Sequence, residues 1–455
     1  MAAFFMTHIR ELAHAYQAGD TRPSTVLRAL LDKIQDGRHL NTFISVDPDQ
    51  VMRDALSADR QLAQSGQTRP LLGIPIAVKD LIDVAGMRTT MGSSQYQDAP
   101  AATEDAPVVA RLRAQGAIII GKTNTHEFAY GSTGDRSVAG PARNPVDPSH
   151  MTGGSSSGSA AALAAGLCLG ALGSDTSASI RLPAAFCGVV GLKPSYDLLP
   201  CQGAFPLSST LDHVGPMARC VQDNALLLDC LSPCTSGQSY EQYIGASIHG
   251  RTVGLIMGFY HEYLSDDVMK ATEHARNLFE QAGARVIPVE IPDIQRIYDA
   301  QQTILKAEAF HVHQQALESG LHFQEGVRER LMSGADILAA NYLEALAFRP
   351  WATEAFNQAL DRVDILFSPT CGITAPLLDE RSTSLNGRTY STPWLLTRLT
   401  APTNFSMHPS LSIPLDQDHL GLPIGIQLIG RLRDEAKLYQ YGYILEQSQA
   451  AAPLP

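Results

Sequence analysis

The chain has 455 residues, of which 44% are hydrophobic and 18% charged, so it can bury a large core and does not resemble a disordered sequence. Its formal net charge is −12, and its basic residues are scattered rather than clustered, which argues against direct nucleic-acid binding. The longest apolar stretch with almost no charge, residues 160–173, is shorter than a membrane span, so we expect no membrane association.

The N-terminus and the cysteines indicate where the protein works. Residues 1–6 are apolar but have no basic leader, and Arg10 and Glu11 soon follow, which does not fit a secretory signal. We therefore expect a cytoplasmic protein.

The cysteines form no CxxC pair, and an odd number cannot all pair within one chain, so reduced structural thiols are expected. They are Cys168, Cys187, Cys201, Cys220, Cys230, Cys234 and Cys371.

Two amphipathic helices are predicted first along the chain. One runs through Ile9 and Leu12, and the second carries an apolar stripe from Val26 to Ile34. Ser24 precedes that stripe and is the expected N-cap of the second helix.

A buried strand comes next. The apolar run of residues 71–78 predicts this strand, which ends on Lys79, an unusual residue at such a position. A helix over residues 106–115 and a short apolar strand over residues 117–121 follow. This order of elements is an α/β alternation.

Residues 131–158 are rich in Gly, Pro, Asn and Ser and predict a long ordered loop, which in a compact domain is usually functional. A helix over residues 158–166, a strand over 167–173 and a second loop over 174–179 follow it. The rest of the chain alternates helices (residues 271–282 and 342–363) with strands (residues 251–257, 365–369, 411–414 and 424–429). Length alone suggests about three domains, but no linker marks a boundary, so a single domain stays open.

The Gly/Ser loop TGGSSSGS, residues 152–159, leads directly into an Ala-rich helix. It places N–H groups and hydroxyls at a helix N-terminus, where negative charge is stabilised. A flexible linker would not lead into a buried helix, and a phosphate-binding P-loop would need a following Lys-Ser/Thr pair. The loop also matches the G-x-S-x-G elbow, but residues 144–151 before it cannot form the strand that this motif requires.

Three segments together carry a family resemblance. They are GIPIAVKD at residues 73–80, the Gly/Ser loop, and LGSDTSASIRLPA at residues 172–184. With these segments the chain resembles the amidase signature family. The similarity continues through residues 186–194, 211–218, 367–370 and 422–430, and thus spans nearly the whole chain.

The resemblance implies one amidase signature domain over residues 1–455, an α/β fold with a central mixed β-sheet covered by helices on both faces. Within it, residues 1–70 would supply N-terminal helices, 71–220 the catalytic core, and 221–455 the rest of the sheet and elements of the substrate pocket. We expect pocket loops at residues 128–135, 303–342 and 397–407.

The resemblance also implies the catalytic residues. Lys79 corresponds to the strand-end lysine of the family, Ser155 to its cis-peptide serine and Ser179 to its nucleophile. The backbone of Thr176 to Ser179 would form the oxyanion hole. The residue types suit this chemistry, because a serine needs an adjacent base and a buried lysine loses its charge more easily.

Further residues are expected to bind substrate. Gly131, Asp135 and Ser155 would join residues 176–179 in contacting it, and Arg181 would hold the nucleophile loop or an Asp. This chain has Ser177-Ala178 where the family most often has two glycines before the nucleophile. That departure concerns the shape of the pocket rather than the catalytic groups.

The expected activity is an amidase that cleaves a small carboxamide or ureide through an acyl-enzyme, with no cofactor and no metal. His311 and His313 have no third ligand nearby in the sequence. The main alternative is the amidase subunit of a glutamine-dependent transamidation complex, and a third is a binding or scaffold protein with this fold. The sequence leaves a homodimer open.

Overall fold

The computed structural model of the chain describes residues 7–64, 69–232 and 237–449, and contains one large sheet and one hairpin. The strands of the described residues are β1 (Phe43–Ser45), β2 (Pro75–Lys79), β3 (Ile118–Thr123), β4 (Gly170–Asp175), β5 (Val190–Lys193), β6 (His213–Ala218), β7 (Thr252–Ile256), β8 (Arg285–Val289), β9 (Ile365–Pro369), β10 (Ser382–Leu385), β11 (Arg388–Ser391), β12 (Ser410–Gln417) and β13 (Pro423–Ile429).

Helices alternate with these strands along most of the chain. The α-helices of the described residues are α1 (Ile9–Ala18), α2 (Pro23–Asp36), α3 (Pro48–Gln64), α4 (Pro107–Ala114), α5 (Ser157–Ala164), α6 (Arg181–Cys187), α7 (Val221–Leu231), α8 (Asp266–Gln281), α9 (Ile294–Glu318), α10 (Val327–Met332), α11 (Ala339–Leu360), α12 (Thr392–Thr397), α13 (Ala401–Phe405) and α14 (Glu435–Gln449).

The main sheet has eleven strands in the order β1-β3-β2-β4-β6-β5-β12-β13-β9-β7-β8. Neighbours are parallel within β3-β2-β4 and within β9-β7-β8, and antiparallel elsewhere, so the sheet is mixed. Every residue of β2, β4, β6, β9 and β13 is buried. Successive strand residues point to opposite faces, so both faces are covered, which confirms the predicted α/β class.

The sheet places β2 and β4 side by side and parallel, with Val78 opposite Leu172. Their carboxyl ends therefore lie at the same edge, and Lys79 and Asp175 are the last residues of the two strands. Along the chain, α5 begins at Ser157, within the Gly/Ser loop, and α6 begins at Arg181, just after the second loop. The fold thus brings the three segments that carry the resemblance to one place.

Two expectations about local structure are wrong. Helix α2 begins at Pro23 with Arg22 at the N-cap, so Ser24 lies within the first turn and bonds the Asp59 carboxylate instead. Proline suits the first helical position, where its missing N–H leaves no hydrogen bond unmade. Residues 303–342 are not a loop, because α9 and α10 occupy most of them, although Leu305, Lys306 and Arg330 on these helices do line a pocket.

The structure also bears on the cysteines and on membrane spanning. Six cysteines are free in the described residues, while Cys234 and the apolar residues 1–6 lie outside them. Among the residues with described structure, no helix combines the length and the apolar character needed to cross a bilayer.

Candidate active site

Lys79 is the last residue of β2, and its side chain is fully buried. The parallel pairing of β2 with β4 places it beside the carboxyl end of β4. There Lys79 Nζ donates hydrogen bonds to Ser155 Oγ at 2.6 Å and to Ser174 Oγ at 2.9 Å. The sheet and the Gly/Ser loop together hold the amine between two hydroxyl groups.

The environment of Lys79 favours its neutral form. Burial lowers its pKa from 10.5 to about 7, although the carboxylates of Asp175 and Asp212 oppose that shift. Close to pH 7 about half of the Lys79 amines are therefore neutral. A neutral amine has a lone pair that can accept a proton from a hydroxyl group, which an ordinary surface lysine at this pH does not offer.

Ser155 lies in the Gly/Ser loop before α5, and the peptide bond between Gly154 and Ser155 is cis. Its carbonyl oxygen accepts hydrogen bonds from the backbone N–H of His126 at 3.2 Å and from Thr125 Oγ1 at 3.1 Å. A Cβ on Gly154 would lie 2.6 Å from the Gly131 carbonyl oxygen, so only glycine fits this close approach. Backbone contacts thus fix the position of Ser155.

Asp175 precedes the turn of residues 176–179 and bonds to the residues that follow that turn. Its Oδ2 accepts hydrogen bonds from the N–H of Ile180 at 3.1 Å and from Arg181 Nε at 3.0 Å, and its Oδ1 accepts one from Arg181 Nη2 at 2.9 Å. Burial alone would raise the pKa of Asp175, but the guanidinium of Arg181 holds it below its ordinary value. The carbonyl of Ser179 accepts the N–H of Ser156 at 3.1 Å, which joins this loop to the Gly/Ser loop.

Residues 176–179 turn between β4 and α6, and none of them has a positive φ. Within the described ranges, none of their backbone N–H groups donates to a protein acceptor. Gln301 on α9 supports the turn, because its Nε2 donates to the Thr176 carbonyl at 3.1 Å and to Ser177 Oγ at 2.7 Å. Unpaired N–H groups in a fixed turn can stabilise an oxyanion.

A cavity of about 220 Å³ lies at Ser179. Residues 129–132 and 176–179 form one part of its wall, and Leu207 and side chains from α9, α10 and α12 form the rest. Trp394 on α12 contributes aromatic surface to this wall. The volume is below the usual range for drug-sized ligands, so the cavity suits a small molecule.

The structure places Gly131 in the cavity wall but not Asp135. A Cβ on Gly131 would lie 2.1 Å from His126 Nε2, which explains why the wall has a glycine here. The Asp135 carboxylate accepts hydrogen bonds from Thr133 Oγ1 at 2.6 Å and from Arg381 Nη2 at 2.8 Å. Asp135 is therefore engaged with protein groups outside the wall.

Sequence reasoning missed Asp212 and Ser174. The Asp212 carboxylate accepts hydrogen bonds from Thr176 Oγ1 at 2.6 Å and from the N–H groups of Leu207 and Ser208 at 2.9 and 3.0 Å. Burial raises its pKa to about 6, above the usual value of a carboxyl. Ser174 could have been found, because a strand that lies parallel to the Lys79 strand must end beside that lysine. Nothing in the sequence shows which groups the Asp212 side chain contacts.

Three potential metal ligands also meet away from this site, at His8, Cys220 and Asp223, with ligand atoms within 4.8 Å of one another. Both oxygens of Asp223 accept the N–H of Ile9 at 3.1 Å, and Cys220 Sγ accepts the N–H of Asp223 at 3.4 Å. Asp223 and Cys220 therefore cap the N-termini of α1 and α7, respectively. The positive ends of two helices disfavour a bound cation, so the cluster is best understood as a pair of caps.

Comparisons with known proteins point to one family. The amidase family model matches residues 25–439. The chain is 34% identical to a subunit of glutamyl-tRNA(Gln) amidotransferase from Lachnospira eligens, over 96% of this chain and 97% of that protein.

Solved structures agree. A chain described with the evolutionary origins of an s-triazine catabolic enzyme is 31% identical, with a TM-score of 0.92 over 97% of this chain and 98% of that one. The peptide amidase of Stenotrophomonas maltophilia is 30% identical, with a TM-score of 0.84 over 98% of this chain and 97% of that one.

Proposed function

Since the chain belongs to the amidase signature family, we propose that it hydrolyses a small carboxamide or ureide through an acyl-enzyme on Ser179. Lys79 is the base, and Ser155 transfers the proton between Lys79 and the nucleophile. The observation that carries this proposal is the buried hydrogen bond of 2.6 Å between Lys79 Nζ and Ser155 Oγ. This bond joins Lys79, whose pKa is about 7, to the Gly/Ser loop, and the N–H of Ser156 in that loop donates to the Ser179 carbonyl.

In the acylation step, neutral Lys79 accepts the hydroxyl proton of Ser155, and Ser155 accepts the hydroxyl proton of Ser179. Ser179 Oγ then attacks the carbonyl carbon of the substrate, and the N–H groups of residues 176–179 stabilise the oxyanion. When the C–N bond breaks, the proton returns from Lys79 through Ser155 to the leaving nitrogen. The amine or ammonia leaves, and the acyl group stays on Ser179.

Hydrolysis repeats the same transfers with water. Lys79, neutral again, takes a proton from water through Ser155 while the water oxygen attacks the ester carbon. The same N–H groups hold the second oxyanion. Collapse breaks the bond to Ser179 Oγ, which recovers its proton from the Lys79 and Ser155 pair, and the carboxylic acid is released.

Substitution of each catalytic residue tests the proposal. Ser179→Ala is expected to abolish turnover and covalent labelling by a fluorophosphonate, and Ser155→Ala and Lys79→Ala to reduce kcat by several orders of magnitude. The three losses should not add, because the groups act as one proton-transfer unit. Ser247→Ala, at an exposed serine, is the matched control. Near-normal activity of Lys79→Ala would refute the mechanism.

A second candidate function is the amidase subunit of a transamidation complex, since a relative named as part of an amidotransferase is 34% identical over nearly the full length of both chains. The two functions differ in their need for a partner. The purified chain alone is expected to release ammonia or amine from a panel of primary amides, anilides and ureides. If it acts only when the other subunits of such a complex are supplied, the transamidation function is correct.

A further inference from the structure

The cavity at Ser179 has an unusual charge distribution. Its wall includes two cationic residues, Lys306 on α9 and Arg330 on α10, and no Asp or Glu. The protein as a whole carries a net charge of −12, so positive charge is concentrated here against the general excess of acid. Such a local field selects ligands by their charge.

Neither cation is paired directly with a carboxylate of the described residues. In the part of the chain that the structure describes, no carboxylate lies within 4.0 Å of Lys306 Nζ or of the Arg330 guanidinium. Arg330 Nη1 donates a hydrogen bond to the Tyr130 carbonyl, and its guanidinium carbon lies 5.5 Å from the centre of the Tyr130 ring. These contacts orient the guanidinium at the cavity wall but provide no carboxylate partner, and the nearby Asp135, whose charge favours the protonated guanidinium, is already bonded to Arg381 Nη2 at 2.8 Å.

Partly buried cations without counter-charges are unfavourable unless a ligand supplies the missing negative charge. Both side chains are only partly exposed. A guanidinium and an ammonium on adjacent walls match a carboxylate, because the first offers a planar pair of donors and the second a point charge. The cavity of about 220 Å³ leaves room for only a few atoms between that carboxylate and the reacting amide.

We propose that the substrate is a short amide or ureide that also carries a carboxylate, and that Lys306 and Arg330 bind this carboxylate while the amide lies at Ser179. This inference rests on the proposed hydrolase function and adds the charge of its substrate. Free glutamine fits less well, because its ammonium group would face this wall without an acidic partner.

The test compares a charged substrate with its neutral counterpart. Succinamate and succinamide have the same length. Succinamide has two equivalent amides, so its measured kcat/KM is divided by two before the comparison. The purified chain is expected to prefer succinamate by about tenfold or more in kcat/KM, because a hydrogen-bonded ion pair typically contributes this much. Most of the difference should lie in KM. Glutaramate and L-glutamine extend the comparison to chain length and to a zwitterion.

Charge-removing variants locate the effect. Arg330→Gln and Lys306→Gln should each lower the preference for succinamate over succinamide by about threefold or more, and the double variant should abolish it. Arg328→Gln, at an exposed position on the same helix, and Lys270→Gln, at an exposed position on α8, remove the same charge elsewhere. Both controls should keep the wild-type preference.

The outcomes separate this inference from the hydrolase function. Hydrolysis of both amides at equal kcat/KM, or a preference that Arg330→Gln and Lys306→Gln leave unchanged, would overturn the anionic-substrate proposal and leave the hydrolase intact. No hydrolysis of any amide by the purified chain, or the same rate from Ser179→Ala, would instead refute the hydrolase function itself.

Discussion

Replacement of Lys79 by methionine is expected to stabilise the fold, and to do so more at low pH than at high pH. Lys79 is fully buried, and its pKa falls from 10.5 to about 7 on folding. Between these two values the unfolded chain binds more protons than the folded one, so the wild-type stability rises with pH. The buried ammonium therefore opposes folding most strongly below pH 7.

The magnitude follows from these two pKa values. A fall in the pKa of Lys79 from 10.5 to about 7 corresponds to about 5 kcal/mol of unfavourable free energy of folding at low pH. By linkage, about 5 kcal/mol of this opposition is present at pH 6 and about 2 kcal/mol at pH 9. Methionine also removes the hydrogen bonds to Ser155 and Ser174, at about 1 kcal/mol each, but that loss is independent of pH. The stability advantage of Lys79→Met should thus fall by about 3 kcal/mol from pH 6 to pH 9.

Calorimetric melting at pH 6, 7.5 and 9 measures this difference. For a chain of 455 residues, about 3 kcal/mol corresponds to a change of about 3 °C in the Tm difference between variant and wild type. Lys270→Met, which removes the charge of an exposed lysine, is the control for a general charge effect. A Tm difference for Lys79→Met that does not change with pH would show that Lys79 is not a buried lysine with a depressed pKa, and would remove the basis for its role as the base.

Three further predictions concern the site. Asp212→Asn keeps acceptors for its backbone donors but removes a charge that raises the pKa of Lys79. The acid limb of the kcat/KM profile should therefore move to lower pH, and an unmoved limb would contradict this. Ala178→Gly should keep kcat for acetyl amides within about tenfold and raise kcat/KM for butyryl and aryl amides, with an activation free energy lower by about 1–3 kcal/mol. Equal effects on all three substrates would show that the residue sets the conformation of the loop and not the width of the pocket. Gly131→Ala places a Cβ 2.1 Å from His126 Nε2 and should lower the free energy of unfolding by about 1–3 kcal/mol in chemical denaturation. Gly37→Ala is the control, because a Cβ there makes ordinary contacts at 3.5 Å and should cause no such loss. Equal losses in the two variants would refute the packing argument.

The sequence predicted most of the elements around the site, because they are short, apolar and bounded by turn residues. The strand that ends on Lys79 starts at Pro75 rather than at residue 71, and the strand at residues 365–369 is confirmed with its bounds. Strand β6 was missed because Gly215 and Pro216 interrupt it, and such residues argue against a strand in isolation. In the sheet β6 pairs with β4 on one side and with β5 on the other, and these neighbours hold it as a strand despite its glycine and proline.

Helix α9 shows why the pocket was harder to predict. Its buried face includes Gln301 and Glu308, so the apolar stripe that would have identified a helix is broken by polar residues. Those two residues are buried because they hydrogen-bond to distant segments, Gln301 to Thr176 and Glu308 to Ser208. A periodicity argument cannot anticipate such partners, since they exist only after the chain has folded.

The same dependence on distant contacts explains how this chain can have Ser177-Ala178 where glycines are more usual. Glycine is required where a turn needs positive φ, but neither residue has one. Other contacts hold the turn instead: the Asp175 carboxylate binds the two residues that follow the turn, and Gln301 Nε2 donates to the Thr176 carbonyl and to Ser177 Oγ. The hydroxyl of Ser177 takes part in this support, and the N–H groups of the turn are left unpaired. The Ser177 side chain therefore helps to hold the proposed oxyanion hole, and both side chains lie in the cavity wall without removing its N–H donors.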